Sequence, residues 1–274
     1  MIIWIASYPK SGNTWVRSII SSYFFSNIGN FDFSLLKNIS LYPGPKYFNK
    51  KIDKPGEVSL FWEVSQKNII QNQELTFLKT HNALVALNNR NFTTEKTTLG
   101  AIYIIRDPRN ILSSLKNHYG FDNYNETFDF MKNKKKYIWD IRKKNDFSGF
   151  QFIGSWSDHY KSWIKNTKFK TLLVKYEDLE KDCYSTSHKI IKFILMLSGQ
   201  NIKLDEKKLF KSIETTKFDV LKKKEIDSGF EESIKINDEN KSFFFLGPEN
   251  IWQKKLPNLN QRQFYCTHMQ KKPS

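Results

Sequence analysis

The chain has 274 residues, 39% of them hydrophobic and 15% aromatic, enough apolar material for one substantial core and unlike a disordered chain. No run approaches the roughly 18 apolar residues that cross a bilayer. The lead "MIIWIAS" lacks the charged start of a secretory signal, and two cysteines, Cys183 and Cys266, cannot build a disulfide framework.

These features predict a soluble protein of the reducing cytoplasm. The formal net charge of +16 points to polyanionic partners. Lysine-rich runs such as Lys132–Lys136 and Leu221–Glu225 equally fit solvated helix faces, so charge alone does not choose a function.

In chain order, continuous apolar runs predict buried strands at Ile2–Ser7, Leu75–Lys79, Leu99–Ile105 and Thr171–Lys175. Helical patterns fall between and after them at Thr14–Phe25, Asn110–His118, Trp156–Asn166 and Ser187–Ser198. Strands alternating with helices, with no repeat and no Pro/Gly/Ser-rich break, predict one α/β domain over 1–274 with a mostly parallel sheet flanked by helices. Asn38–Gly56 and Lys222–Lys241 read as irregular, charged loops, expected over the carboxyl edge of the sheet where ligands bind.

Between the first strand and helix stands "YPKSGNTW", Tyr8–Trp15. Backbone N–H groups at a helix start favour an anion. Gly12 lets the backbone approach it, Ser11 and Thr14 add hydroxyls, and Lys10 adds an ammonium. The Walker A pattern places its lysine after the second glycine and before Ser/Thr. Here Lys10 precedes the only glycine, which argues against ATP or GTP hydrolysis. After the third strand, "RDPRNILSS" offers Arg106 as a planar fork and Ser114, or its neighbour Ser113, as a hydroxyl that can converge on one phosphate.

Taken together, "YPKSGNTW", "KTH" (Lys79–His81), "RDPRNILSS", "GSWSDHYKSW" (Gly154–Trp163) and "LLVKYEDLEKD" (Leu172–Asp182) resemble, in order, the motifs of the cytosolic-type sulfotransferases. Those enzymes use 3′-phosphoadenosine 5′-phosphosulfate (PAPS). The similarity spans about Met1 to Leu256 and implies an architecture related to the P-loop nucleotide kinases. It places the 5′-phosphosulfate in the loop Lys10, Ser11, Gly12, Asn13 and Thr14. Trp15 would lie on the adenine, with Tyr176, Thr216 and Phe218 nearby, and Arg106, Ser114 and the Gly247 backbone would hold the 3′-phosphate. The family's "R-K-G-x-x-G-D-W" stretch is "FFFLGPENIW" here, so Phe245 and Leu246 replace its basic pair, with Lys241 as a candidate substitute. Its dimerisation pattern is not visible after Trp252, which leaves the oligomeric state open. The chain begins at the first strand, so part of the acceptor wall that many members build from an N-terminal extension is expected to be missing.

The resemblance also implies the chemistry. His81 would take the acceptor's proton, Lys10 would stabilise the leaving phosphate and Lys79 would steady the sulfuryl oxygens, with no metal. His118, His159, His188 and His268 read as structural, and Cys266–His268 makes a poor metal site. The acceptor, a small molecule or a glycan, would be chosen by Asn38–Gly56, the stretch around Phe121–Lys136 and Lys222–Lys241. Tyr42, Tyr47, Phe48 and Trp62 stand there either as pocket wall or as core. Two other readings compete: a nucleotide kinase on the same sheet, and a non-catalytic polyanion binder motivated by "KKKYIWDIRKK" (Lys134–Lys144).

Overall fold

Every residue of the first strand, β1 (Ile2–Ser7), is buried, because both faces of the sheet around it are covered. The computed structural model describes residues 1–71, 75–140, 142–143, 145–199, 202–236 and 239–255; side chains are described except at 234–241 and 255. β1 is the centre of a five-stranded, wholly parallel sheet with β2 (Ile39–Leu41), β3 (Thr76–Thr80), β4 (Thr98–Ile105) and β5 (Lys170–Lys175), in the order β2-β3-β1-β4-β5. The chain moves to one side of β1 for β2 and β3, then to the other for β4 and β5. The switch point therefore lies at the carboxyl end of β1, where open α/β sheets bind ligands.

Alternate residues of β1 feed two cores. Ile3 and Ile5 pack with α1 (Asn13–Phe25), α7 (Cys183–Ser198) and α8 (Glu206–Thr215) through Val16, Ile20, Ile191 and Leu209. Ile2, Trp4 and Ala6 pack on the other side with Tyr42, Phe92 and Tyr103, with Trp62 of α2 (Trp62–Ile70) and with Trp163 of α5 (Trp156–Ile164). Full burial of each such side chain stabilises the fold by about 1.5–3 kcal/mol. Tyr42 and Trp62 are fully buried, and Tyr47 and Phe48 pack against the same cluster, so these aromatics belong to the core.

The four expected strands and four expected helices are present, β1 with the expected ends and the others with ends moved by at most four residues. The helix after β4, α3 (Pro108–Tyr119), begins at once: Asp107 caps it by accepting from Arg109 N, so "DPRN" is the cap and first turn. Two segments read as loops contain more structure. Asn38–Gly56 holds β2, whose three residues are too few to show a period. Lys222–Lys241 begins inside α9 (Phe218–Ser228) and continues into a short antiparallel pair, β6 (Ile234–Ile236) with β7 (Glu239–Lys241). Helices α4 (Tyr124–Lys132) and α6 (Tyr176–Lys181) complete the helical set used below.

Candidate functional site

The turn from β1 into α1 is shaped for close approach. Lys10 has φ 64 and Gly12 φ 95, both left-handed. A Cβ on Gly12 would stand 2.3 Å from the Tyr176 ring, so glycine is required for space as well as for conformation. The Asn13 amide donates to Ile5 O (3.1 Å) and Ser7 Oγ (3.2 Å), tying the helix start to the end of β1. Asn13 thus braces the loop.

Around this loop the fold gathers cations. Lys10, Arg17, Lys79 and Arg106 are contributed by the loop, α1, β3 and the end of β4, and all four line one cleft of about 2170 Å³. That volume exceeds the roughly 300–1,000 Å³ of a single-ligand pocket, leaving room for a nucleotide and a second molecule. The Arg106 guanidinium lies 3.8 Å from the centre of the Tyr176 ring and donates to Lys10 O at 3.5 Å. Trp15 meets Tyr176 edge to face at 5.6 Å. Ser11 Oγ, Trp15 Nε1, Arg17 Nε, Arg106 Nε and Ser113 Oγ are buried without a hydrogen-bond partner. Unpaired buried donors are costly, and this many around one loop suit an incoming polyanion.

Burial, with Lys79 and Arg106 adding to it, lowers the Lys10 ammonium to about 7 against the pull of Glu232. Lys79 is also lowered, first by burial. Both therefore favour an anion that restores their charge.

His81 follows β3 and is locked in one tautomer. Its Nδ1 lies 2.8 Å from Ser7 O, a carbonyl that can only accept, so Nδ1 carries the proton and Nε2 keeps a lone pair. Burial, then the Lys79 charge, lowers its pKa to about 3, which keeps the ring neutral. Its backbone is fixed on both sides: N donates to Gln151 Oε1 (2.7 Å), and His159 Nε2 donates to its carbonyl (3.0 Å). His159 is oriented in turn by Tyr103 OH (2.8 Å). The motif Gly154–Trp163 therefore works through position: Ser155 caps α5, and His159 and Trp163 hold the end of β3 through His81 O and Asn82 O.

The remaining expected residues distribute as follows. Thr14, Trp15, Arg106, Ser114, Tyr176, Phe218 and Gly247 line the cleft. Gly247 has φ 51, and its Cβ position is 2.5 Å from the Phe218 ring, so these two residues are packed face on. Asn250 Nδ2 donates to Asn110 O (2.7 Å) and Trp252 N donates to Asn110 Oδ1 (3.0 Å), which anchors the Gly247 segment to the start of α3. Ser11 lies beneath the loop, fully buried. Thr216 does not reach the cleft: its hydroxyl donates to Ser212 O (2.7 Å) at the end of α8. Phe245 is exposed and Leu246 half-buried at the rim. The Lys241 side chain, Cys266, His268 and the region of the dimerisation pattern lie outside the described residues. Among the described residues, no group of three or more His, Cys, Asp or Glu is placed to hold a metal ion.

Sequence reasoning missed three residues here. Arg17 is one turn past Thr14 and 3% exposed, an i,i+3 relation that marks it as facing the same way. Glu232, between α9 and β6, reaches back to Arg17 (2.7 Å), Lys79 (3.0 Å) and Thr14 Oγ1 (3.2 Å), a contact no local pattern could reveal. His118, read as structural, forms part of the cleft wall. Residues Phe121–Lys136 are absent from that wall, because the segment folds largely as α4 against its own core; Ile138, Trp139 and Asp140 take the place instead.

A five-stranded parallel sheet flanked by helices, with an anion-suited loop at its central strand, is the architecture of the P-loop-kinase kind. Comparison with known proteins specifies it: the Sulfotransferase domain matches residues 2–273, and the chain belongs to that family. Sulfotransferase 2A2 of Mus musculus is 27% identical over 207 residues, 74% of this chain and 60% of that protein. Sulfotransferase 1B1 of Mus musculus is 25% identical over 273 residues, 97% of this chain and 81% of that protein. Several of the curated relatives are thus matched over only about three-fifths of their length. Among solved structures, retinol dehydratase in a complex with retinol and PAP superposes with a TM-score of 0.63 at 16% identity, covering 99% of this chain and 83% of that one. Mouse sulfotransferase SULT7A1 complexed with PAP gives 0.55 at 18% identity, covering 96% and 81%. No helix among the described residues is long and apolar enough to cross a membrane.

Proposed function

We propose that the chain is a single-domain, cytoplasmic sulfotransferase that moves a sulfuryl group from PAPS to the hydroxyl of a small-molecule acceptor. The observation that carries this is the convergence of Lys10, Lys79, Arg106 and unpaired buried donors on the loop in front of α1, beside a neutral His81 with a free Nε2. The family membership and the PAP bound in related structures support the choice of nucleotide.

Lys10 and the N–H groups at the start of α1 would hold the 5′-phosphate, with Lys79 on the sulfuryl oxygens. Arg106 would hold the 3′-phosphate with Ser114 or Ser113. Ser114 lines the cleft, whereas the Ser113 hydroxyl is buried and unpaired. Trp15, Tyr176 and Phe218 supply aromatic surface for the base; Thr216 would act there only through packing. When bound, the donor supplies an activated sulfuryl group and a phosphate leaving group. His81 Nε2 takes the acceptor's proton as its oxygen attacks, a contribution typically worth about 10²–10⁴-fold. Lys10, poised near neutrality, neutralises or protonates the leaving oxygen. Tyr119, Ile138 and Trp139 give the outer cleft an apolar wall suited to an apolar or amphipathic alcohol.

The test is transfer of radiolabelled sulfate from PAPS to a panel of phenols, sterols, small alcohols and oligosaccharides. Label moving to an alcohol in a His81-dependent way supports the reading. PAP failing to bind and label moving to no acceptor would contradict it.

A further inference from the structure

Thr14, Arg17 and Lys79 face one point, and in this structure the chain's own Glu232 carboxylate bonds to all three. Arg17 is 4% exposed at its side chain and Lys79 10%, so two cations have been desolvated to face this point. Glu232 satisfies them incompletely. It engages Arg17 through one terminal nitrogen, while Arg17 Nε stays buried without a partner. A carboxylate offers two oxygens where a sulfuryl or phosphoryl group offers three.

Glu232 and Phe243 belong to two described stretches, 229–233 and 242–244, which pack on Phe33 and Phe218 through Phe230 and Phe244 and share one hydrogen-bonding anchor; together they are called the strap. Glu225 of α9 accepts from Ser233 Oγ (2.6 Å), Ser242 Oγ (3.0 Å), Phe243 N (2.6 Å) and Phe244 N (2.9 Å). From that anchor the strap sets Glu232 on Arg17 and Lys79 and lays the Phe243 ring 3.8 Å from Lys10 Nζ. Lys10, Arg17 and Lys79 are thereby covered from one side, and Arg106 is left facing Tyr176.

We infer that Arg17 is a donor-binding residue of this enzyme, and that Glu232 is an internal occupant of the same subsite which the donor's phosphosulfate end displaces. The inference rests on the PAPS reading given above. Glu232 is 28% exposed at its side chain and sits on a connecting segment, so it can leave without disturbing the sheet. Arg17, on a buried helix face, cannot. Part of the donor's binding energy then goes into breaking the Glu232 contacts, so the free protein's affinity is reduced by the fraction of molecules in the open state. A fixed counter-ion that merely aligned Lys79 and Arg17 would have the opposite effect on affinity when removed.

The test is calorimetric titration of the full chain with PAPS and with its product PAP, comparing wild type, Glu232→Gln, Arg17→Gln and Arg17→Lys, with thermal unfolding of each variant as a check on folding. Glu232→Gln is expected to bind both nucleotides about 3- to 30-fold more tightly. Arg17→Gln should bind PAPS about tenfold or more weakly, with Arg17→Lys between it and wild type. Wild type binding with Glu232→Gln unchanged or weaker overturns the displacement. Unaltered PAPS affinity in a folded Arg17→Gln overturns the Arg17 assignment, and if that variant does not fold, unaltered affinity in Arg17→Lys does the same. Wild type failing to bind either nucleotide contradicts the donor reading itself, a result distinct from the other two.

Discussion

The loop before α1 and the strap over it face the same cleft but are built in opposite ways. The loop is fixed by neighbours: Asn13 ties it to β1, Tyr176 fills the space beside Gly12, and the helix start supplies its N–H groups. The strap is held at its base by the Glu225 carboxylate and by Phe230 and Phe244 packed on Phe33 and Phe218, and it reaches over the cations with two side chains, Glu232 to Thr14, Arg17 and Lys79 and Phe243 to Lys10. A site that must hold one anion the same way each time needs the first construction. A cover that has to yield to a ligand is served by the second, in which the aromatic base stays packed while two side chains leave the cations.

Substitutions in the fixed region should therefore cost function heavily, and those in the strap or rim should cost little or improve binding. The largest effect is expected at His81. His81→Ala should lower kcat by about 10²–10⁴-fold while PAP affinity stays within about twofold, read by steady-state kinetics beside calorimetry. Equal losses in both would show that His81 supports the nucleotide site rather than the chemistry. Next comes Arg106→Ala, which removes a charge-assisted contact of about 1.5–3 kcal/mol and should weaken PAP by about ten- to a hundredfold. A change confined to turnover would remove Arg106 from the nucleotide site.

The pH profile offers a milder perturbation. Lys10 carries its proton below about 7 in the free protein, so kcat/KM should be high on the acid side and fall about tenfold per unit above that value. The bound donor's negative charge raises the Lys10 pKa, so the same limb in kcat should lie at higher pH. His81 is already neutral above about 3 and should add no acid limb near 6.5. An acid limb at that position that vanishes in His81→Ala would contradict the burial-lowered pKa that keeps the ring neutral. The smallest effect is expected from Phe245→Arg at the exposed rim, which returns one of the family's two cations. PAP should tighten by a few-fold and ADP should not.

The same contrast explains what could be read from the amino-acid order. β1, the Lys10–Trp15 loop, Lys79–His81 and Arg106 are legible because each joins a buried strand to a turn or helix within a few residues, and their chemistry is local. Position in the family pattern then supplied Tyr176 and Phe218, which line the cleft, and also Thr216, whose hydroxyl is taken up by its own helix end. Arg17 was within reach, since a basic residue three places past Thr14 on a helix must face the same way. Glu232 was not, because its partner Arg17 is 215 positions away and the intervening segment shows no period. The short β2 escaped for the opposite reason, being three residues whose strand character comes only from pairing with β3. His118 lacked any signal that would separate a cleft wall from a core position.

The measurement that bears most directly on the account is calorimetric titration of the unmodified protein with PAP, ADP and 5′-AMP at moderate salt without magnesium. The account predicts 1:1 binding of PAP that weakens by about 1 kcal/mol or more when the 3′-phosphate is absent, as loss of a charge-assisted contact requires. Equal, weak and strongly salt-dependent binding of all three would contradict a built nucleotide site and return the protein to a general binder of polyanions.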